Sequence, residues 1–146
     1  NIMVNQIRYR AHEVLEQVSA AKTKADKIKI LQANNKNWAL RDILRGTFDD
    51  VVVFLLPKGK VPFEPALIQS HPSEWTQHHK KLRYMIQGGG YEHMNTAKRE
   101  KMFLDILEVI HPKDAEILVN MINKKMPHKG ITKKLVQEAL PGLISN

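Results

Sequence analysis

The chain has 146 residues, 42% of them hydrophobic, enough for one domain with its own core. Cysteine is absent, which excludes disulfides and cysteine-ligated zinc and fits a reducing cytoplasm. Lysine and arginine number 23 against 15 acids, and the resulting +8 favours anionic partners, nucleic acid first.

No apolar run approaches the roughly 18 residues of a membrane span, and no secretory leader is read, so no membrane partner is expected. Asn1 and Ile2, ahead of Met3, are set aside as a remnant of recombinant expression, leaving one domain expected over residues 3–144. Ile7, Ala11, Val14, Leu15 and Val18 recur at helical spacing. Thr23 and Asp26 fit a capping box that opens a second helix with Ile28, Ile30 and Leu31. Asn34 to Asn37 interrupt it. A third helix carries Trp38, Leu40, Ile43 and Leu44 and is expected to stop at Gly46. A short fourth, capped by Thr47 or Asp49, is expected through Val51–Leu56, although three valines there also suit a strand.

Residues 57–73 hold Pro57, Pro62, Pro65 and Pro72 and predict a long irregular connection. Its apolar residues Val61, Phe63, Leu67 and Ile68 suit a strap over the core. Ser73, Glu74 and Trp75 open a helix expected to run to about Gln87 and end at Gly88-Gly89-Gly90. Asn95 caps a helix that buries Phe103, Leu104, Ile106, Leu107 and Ile110. Pro112 starts another, with Asp114 and Glu116 in its first turn and Ile117, Leu118, Met121 and Ile122 inward. Pro127 and Gly130 stop it. The last helix runs from about Thr132 to Leu140, before Pro141-Gly142. The expected fold class is all-α, one compact domain of seven to nine short helices.

No catalytic or cofactor motif is complete. The triple glycine lacks the spacing of a phosphate loop, and His71, His78 and His79 lack a metal-binding framework. Lys24-Ala25-Asp26 begins like the nucleotidyl-transfer motif Lys-x-Asp-Gly but lacks its glycine. Neither enzyme activity nor cofactor is expected.

The basic residues are clustered instead. In NKKMPHKGITKKL, residues 123–135, Thr132 is the natural N-cap, so Lys133 and Lys134 fall in the first turn of a helix, where its dipole disfavours cations by about 0.3–1 kcal/mol each. A bound phosphate would reverse that preference. Lys124, Lys125, His128, Lys129 and Gly130 complete this candidate site. Lys80, Lys81 and Arg83, with Lys98, Arg99 and Lys101, form a second basic patch, and Arg41 and Arg45 a smaller third. Lysine, glycine and helix ends contact backbone rather than base edges, so sequence specificity is not expected.

Residues 114–144, DAEILVNMINKKMPHKGITKKLVQEALPGLI, resemble the end of the N-terminal helical DNA-binding domain of ATP-dependent DNA ligases, especially those of T-even-like phages. Residues 24–50 echo an earlier part of that domain in the same order, and the whole chain is similar to helical proteins of marine tailed phages. The resemblance implies a helical domain that lies along double-stranded DNA and grips phosphates flanking a nick. By motif position, Lys124, Lys125, Lys129, Gly130, Lys133 and Lys134 would hold the backbone. The ligase catalytic core would follow Ile144, so the expected function is non-catalytic, sequence-independent DNA binding in phage replication or repair, in the host cytoplasm. The alternative expectation is a module that binds an acidic phage or host replication protein.

Overall fold

The computed structural model describes residues 9–145 and is all-helical, with six α-helices and three short 3-10 helices among the described residues. The α-helices are α1 (Ala11–Ala20), α2 (Lys24–Ala33), α3 (Trp38–Phe48), α4 (Thr96–Val109), α5 (Pro112–Ile122) and α6 (Lys133–Ala139). The 3-10 segments are Ile68–Ser70, Trp75–Gln77 and His79–Tyr84. Ile7, the first residue of the N-terminal apolar stripe, lies outside the described residues.

Helix starts follow local chemistry. Thr23, Asn37, Asn95 and Thr132 each accept a hydrogen bond from the backbone N–H three residues on, satisfying a donor that the helix itself leaves free. Pro112 takes the first position of α5, where its missing N–H costs nothing. α5 is the centre of the packing, against α1, α3 and α4, while α2 joins α1 and α6 joins α2. Its Ala115, Ile117, Leu118, Met121 and Ile122 are buried, together with Leu15, Leu31, Leu40, Ile43, Leu44 and Leu107 from its neighbours.

Three expected elements differ. Gly46 does not end α3, which continues to Phe48. A Cβ on Gly46 would lie 2.7 Å from Met121 Sδ and 3.0 Å from Phe54, so glycine serves the close approach of α3 to α5. Val51–Leu56 is not a helix. It runs extended beside residues 85–87, with Leu55 N–H donating to the Met85 carbonyl at 2.7 Å and Gln87 N–H to the Val53 carbonyl at 2.9 Å. Residues 73–87 do not form an α-helix but two 3-10 turns, because side chains pin them to α3. The Trp75 indole donates to the Ala39 carbonyl at 2.9 Å, and His79 Nδ1 meets Asp42 at 2.5 Å. In the glycine triplet, Gly88 and Gly90 take positive φ, and a Cβ on Gly89 would collide with the Arg83 carbonyl.

The 57–73 connection is fastened at intervals. Asn123 and Gly59 exchange hydrogen bonds, Glu64 N–H donates to Glu108, and Ser73 N–H to the Val109 carbonyl. Val61 and Phe63 pack on the core, whereas Leu67 and Ile68 stay exposed.

Asp49, fully buried just beyond α3, accepts from Val51 N–H and from both the N–H and hydroxyl of Ser145, and lies 3.6 Å from Arg45 Nε. Burial pushes its carboxyl pKa up, but the donors from Ser145 and Val51 and the Arg45 charge outweigh this and hold it below the usual carboxylate range. A carboxyl lowered in the folded state stabilises above its unfolded pKa, and that contribution is lost as pH falls through the folded value. Asp49→Asn is therefore expected to cost about 2 kcal/mol at neutral pH. It should also flatten the loss of stability below about pH 4. Denaturant unfolding of both proteins at several pH values measures both effects.

Candidate nucleic-acid interface

The segment 123–135 is drawn together in sequence and pulled apart in space. α5 stops at Ile122, earlier than Pro127 would dictate, in a Schellman turn. Lys125 N–H donates to the Asn120 carbonyl and Lys124 N–H to that of Met121, with Lys124 at φ 58° where glycine is usual. The Lys124 side chain then turns inward. Its ammonium donates to the carbonyls of Gly46 (2.7 Å) and Asp49 (2.8 Å) and lies 5.2 Å from the Phe54 ring centroid. Burial holds its pKa below the usual lysine value, against the pull of Asp50 and Asp49. Lys124 closes the C-terminus of α3 and is not presented at the surface for phosphate.

Lys125 lines a separate concavity with Gly59, Val61, Phe63 and Asn123, on the side of the connection. His128 turns toward α1 and α5, beside His12 and Glu16. Its Nδ1 is buried without a hydrogen-bond partner among the described residues, and burial draws its pKa down. Lys133 has a carboxylate of its own, Asp50 at 3.8 Å. That pair offsets part of the misplaced charge without any ligand, although Asp50 is 84% exposed and the attraction weak.

What remains forms a site with partners that the sequence did not suggest. Gly130, Thr132, Lys134 and Leu135 line a cavity of about 270 Å³ with Lys24 and Lys27 of α2. The Lys27 ammonium is fixed there by the carbonyls of Val18 (3.1 Å), Ser19 (3.3 Å) and Ala21 (2.6 Å) at the end of α1. Gly130 has φ 83°, and a Cβ on it would sit 3.4 Å from that ammonium. The Ser19 hydroxyl donates to the Lys129 carbonyl at 2.6 Å, which sets the turn against α1. Lys24 pairs with Glu138 at 2.7 Å in an exposed bridge. Lys134 is exposed and has no ion-pair partner among the described residues. Nothing in the sequence joined Lys24 and Lys27 to this site, because their meeting with Gly130 depends on α2 packing against α6.

The second patch is also divided. Lys80, Lys81 and Arg83 are exposed on the segment His79–Tyr84. Lys81 lies 3.4 Å from His78 Nδ1, and Arg83 stacks over Tyr91. Arg99 is buried instead, donating to the carbonyls of Tyr84 (2.9 Å) and Tyr91 (2.8 Å), and Lys101 pairs with Asp105. His78 bonds Ser73 and His79 bonds Asp42, so the neighbouring histidines serve different contacts. No group of side chains suited to a metal ion occurs among the described residues.

Sequence reading also missed a buried pair, His12 and Asp114. The Asp114 carboxylate accepts from the His12 N–H at 2.9 Å and meets His12 Nδ1 at 2.8 Å, while His12 stacks on His111. The two residues are 102 positions apart, on helices that meet only in the fold.

The fold and these contacts define a small all-α domain with a lysine-lined concavity between α2 and α6. The chain belongs to the family of unknown function DUF6433, whose family model matches residues 14–128. Gly130 and α6 lie beyond the matched residues. No curated protein matches the chain. No helix among the described residues is long and apolar enough to cross a membrane.

Gly130→Ala places a Cβ in left-handed backbone beside Lys27, and is expected to cost about 1 kcal/mol, read as a lowered denaturant midpoint with unchanged slope.

Proposed function

We propose that the protein is a non-catalytic, sequence-independent DNA-binding protein that grips the phosphate backbone of a duplex. The observation that carries this reading is the convergence of Lys24, Lys27 and Lys134 on one concavity around Gly130. Lys24 pairs with Glu138, and Lys27 is held in place by three carbonyls before any ligand arrives. The exposed Lys24–Glu138 bridge is weak enough to exchange for a phosphate. Lys22 in the α1–α2 link and Lys129 in the turn are both exposed next to it and extend the charge along a backbone. Lysines on flexible stems are point charges that follow phosphates and read no base edge. The ligase-like order of residues 114–144 supports a role at nicks or junctions in phage replication or repair.

If Lys22, Lys24, Lys129 and Lys134 each reach one phosphate, log K against log salt for duplex DNA should slope at about −3.6. Lys134→Glu should weaken binding on every sequence alike, make the slope shallower by about 1, and leave the unfolding midpoint in place. Fluorescence anisotropy on nicked and intact duplexes measures this, and a slope near zero would refute the proposal.

The second reading is a module that binds a replication protein. Leu67 and Ile68, 64% and 62% exposed on the connection, favour it because apolar side chains contribute nothing to a phosphate grip. A partner that stays bound after nuclease treatment, and is released by Leu67→Asp with Ile68→Asp, would support this reading over the first.

A further inference from the structure

The lysine concavity does not account for the face of α3. Trp38, the first apolar residue of α3, is 60% exposed, whereas Trp75 is 3% exposed. The reason is register. The inward stripe of α3 is Ala39, Leu40, Ile43, Leu44 and Thr47, and Trp38 stands one position before it. Trp38, Arg41 and Arg45 are spaced i, i+3 and i+7 and share another face. The Arg41 guanidinium lies 5.0 Å from the indole centroid and also donates to the Asn35 carbonyl at 3.1 Å, so it is held against the ring. With so much of Trp38 still exposed, the indole has room for a second flat partner.

The neighbouring element adds charge of the same sign. The His79–Asp42 contact seats segment His79–Tyr84 directly on α3 and brings exposed Lys80, Lys81 and Arg83. Arg83 lies 5.2 Å over Tyr91, a second arginine–aromatic pair. Of the acids of α3 and its end, Asp42 is engaged with His79 and buried Asp49 with Ser145 and Arg45, while exposed Asp50 pairs weakly with Lys133. The face therefore combines an open indole with the exposed cations Lys80, Lys81 and Arg83 and with Arg45, whose side chain is half-exposed although its Nε lies 3.6 Å from Asp49.

We propose that this face binds a single strand of nucleic acid, with one unpaired base stacked on Trp38 and its flanking phosphates on Arg41, Arg45 and Lys80. An aromatic ring open to solvent among cations is what an unpaired base can cover, since every base has a flat face, whereas a duplex hides those faces in its own stack. Arginine suits the role better than lysine, because a planar guanidinium stacks and pairs with phosphate at once. The inference does not depend on duplex binding at the Gly130 concavity. Either surface can fail alone.

Trp38 is its own probe. Titration with a deoxythymidine oligonucleotide of about fifteen residues should quench the exposed, red-edge tryptophan emission and leave that of buried Trp75. An abasic oligomer of equal length, which offers phosphates without bases, should bind more weakly and quench little. Trp38→Leu, a substitution at an exposed helix start, should lower affinity for the oligonucleotide about tenfold. The same variant should keep the duplex affinity and salt slope of the parent, and Lys134→Glu should do the opposite. Equal quenching by the abasic oligomer, undiminished single-strand affinity in Trp38→Leu, or quenching by an acidic protein but by no oligonucleotide would each overturn the proposal.

Discussion

The ammonium of Lys124, seated on the carbonyls of Gly46 and Asp49, closes the end of α3 from the end of α5. The last carbonyls of a helix have no partner within it, and here they are turned into the protein where water is scarce. A lysine in left-handed backbone satisfies them while its own N–H completes the turn that ends α5. The geometry then constrains everything around it. α3 must approach α5 closely, which requires glycine at position 46 beneath Met121. The chain leaving α3 must turn at once, which puts the Asp49 carboxylate inside, where Val51 and Ser145 donate to it. Residues 51–56 are thereby led into extended pairing with 85–87, and the C-terminal segment is held against α3.

The same device recurs at α1, whose last carbonyls are closed by Lys27. Arg99 plays a related part for the carbonyls of Tyr84 and Tyr91. These cations are structural first, and a net charge of +8 overstates the charge offered to a partner. What remains outside is sorted by chemistry. Lysines and a glycine gather where α2 meets α6, and arginines with aromatic rings gather on α3 and its neighbouring turns.

The parts of the fold legible in the sequence are those decided within one turn of chain. Thr23, Asn95, Pro112 and Thr132 mark helix starts because capping acts over three residues, and the stripes of α1, α4 and α5 mark buried faces for the same local reason. The errors lie where a distant residue decides. Val51–Leu56 had a helix-like neighbourhood but found strand partners some thirty residues later. Residues 73–87 had the composition of a helix, but the contacts of Trp75 and His79 with α3 hold them in 3-10 turns. Trp38 fits a helical stripe as well as Leu40 does, and only the register of packing separates them. At the candidate site, Lys133 and Lys134 stood out in the sequence by the odd placement of their charge, and the pairing of Lys133 with Asp50 was not legible there. Nor were the inward turns of Lys124 and His128, because burial is a property of the fold. Lys24 signalled a helix start and an incomplete nucleotidyl-transfer motif, and Lys27 a helix start alone.

The two basic surfaces also differ in what they demand of a ligand. Flexible lysines around a glycine tolerate any backbone that keeps its phosphates at regular intervals, and a duplex does this along its whole length. An indole braced by a guanidinium, if it stacks a base as proposed, takes one that has left its stack, and a continuous duplex has none to offer. The surfaces also rest on different parts of the molecule, one on the α1–α2–α6 side and the other on α3, with α5 contacting both α1 and α3. A single nucleic acid that engages both must therefore carry paired and unpaired residues within the width of one small domain. That condition is met at the boundary between duplex and single strand, and along neither form alone. Binding at such a boundary would need no recognition of sequence, because the two chemistries select the boundary themselves.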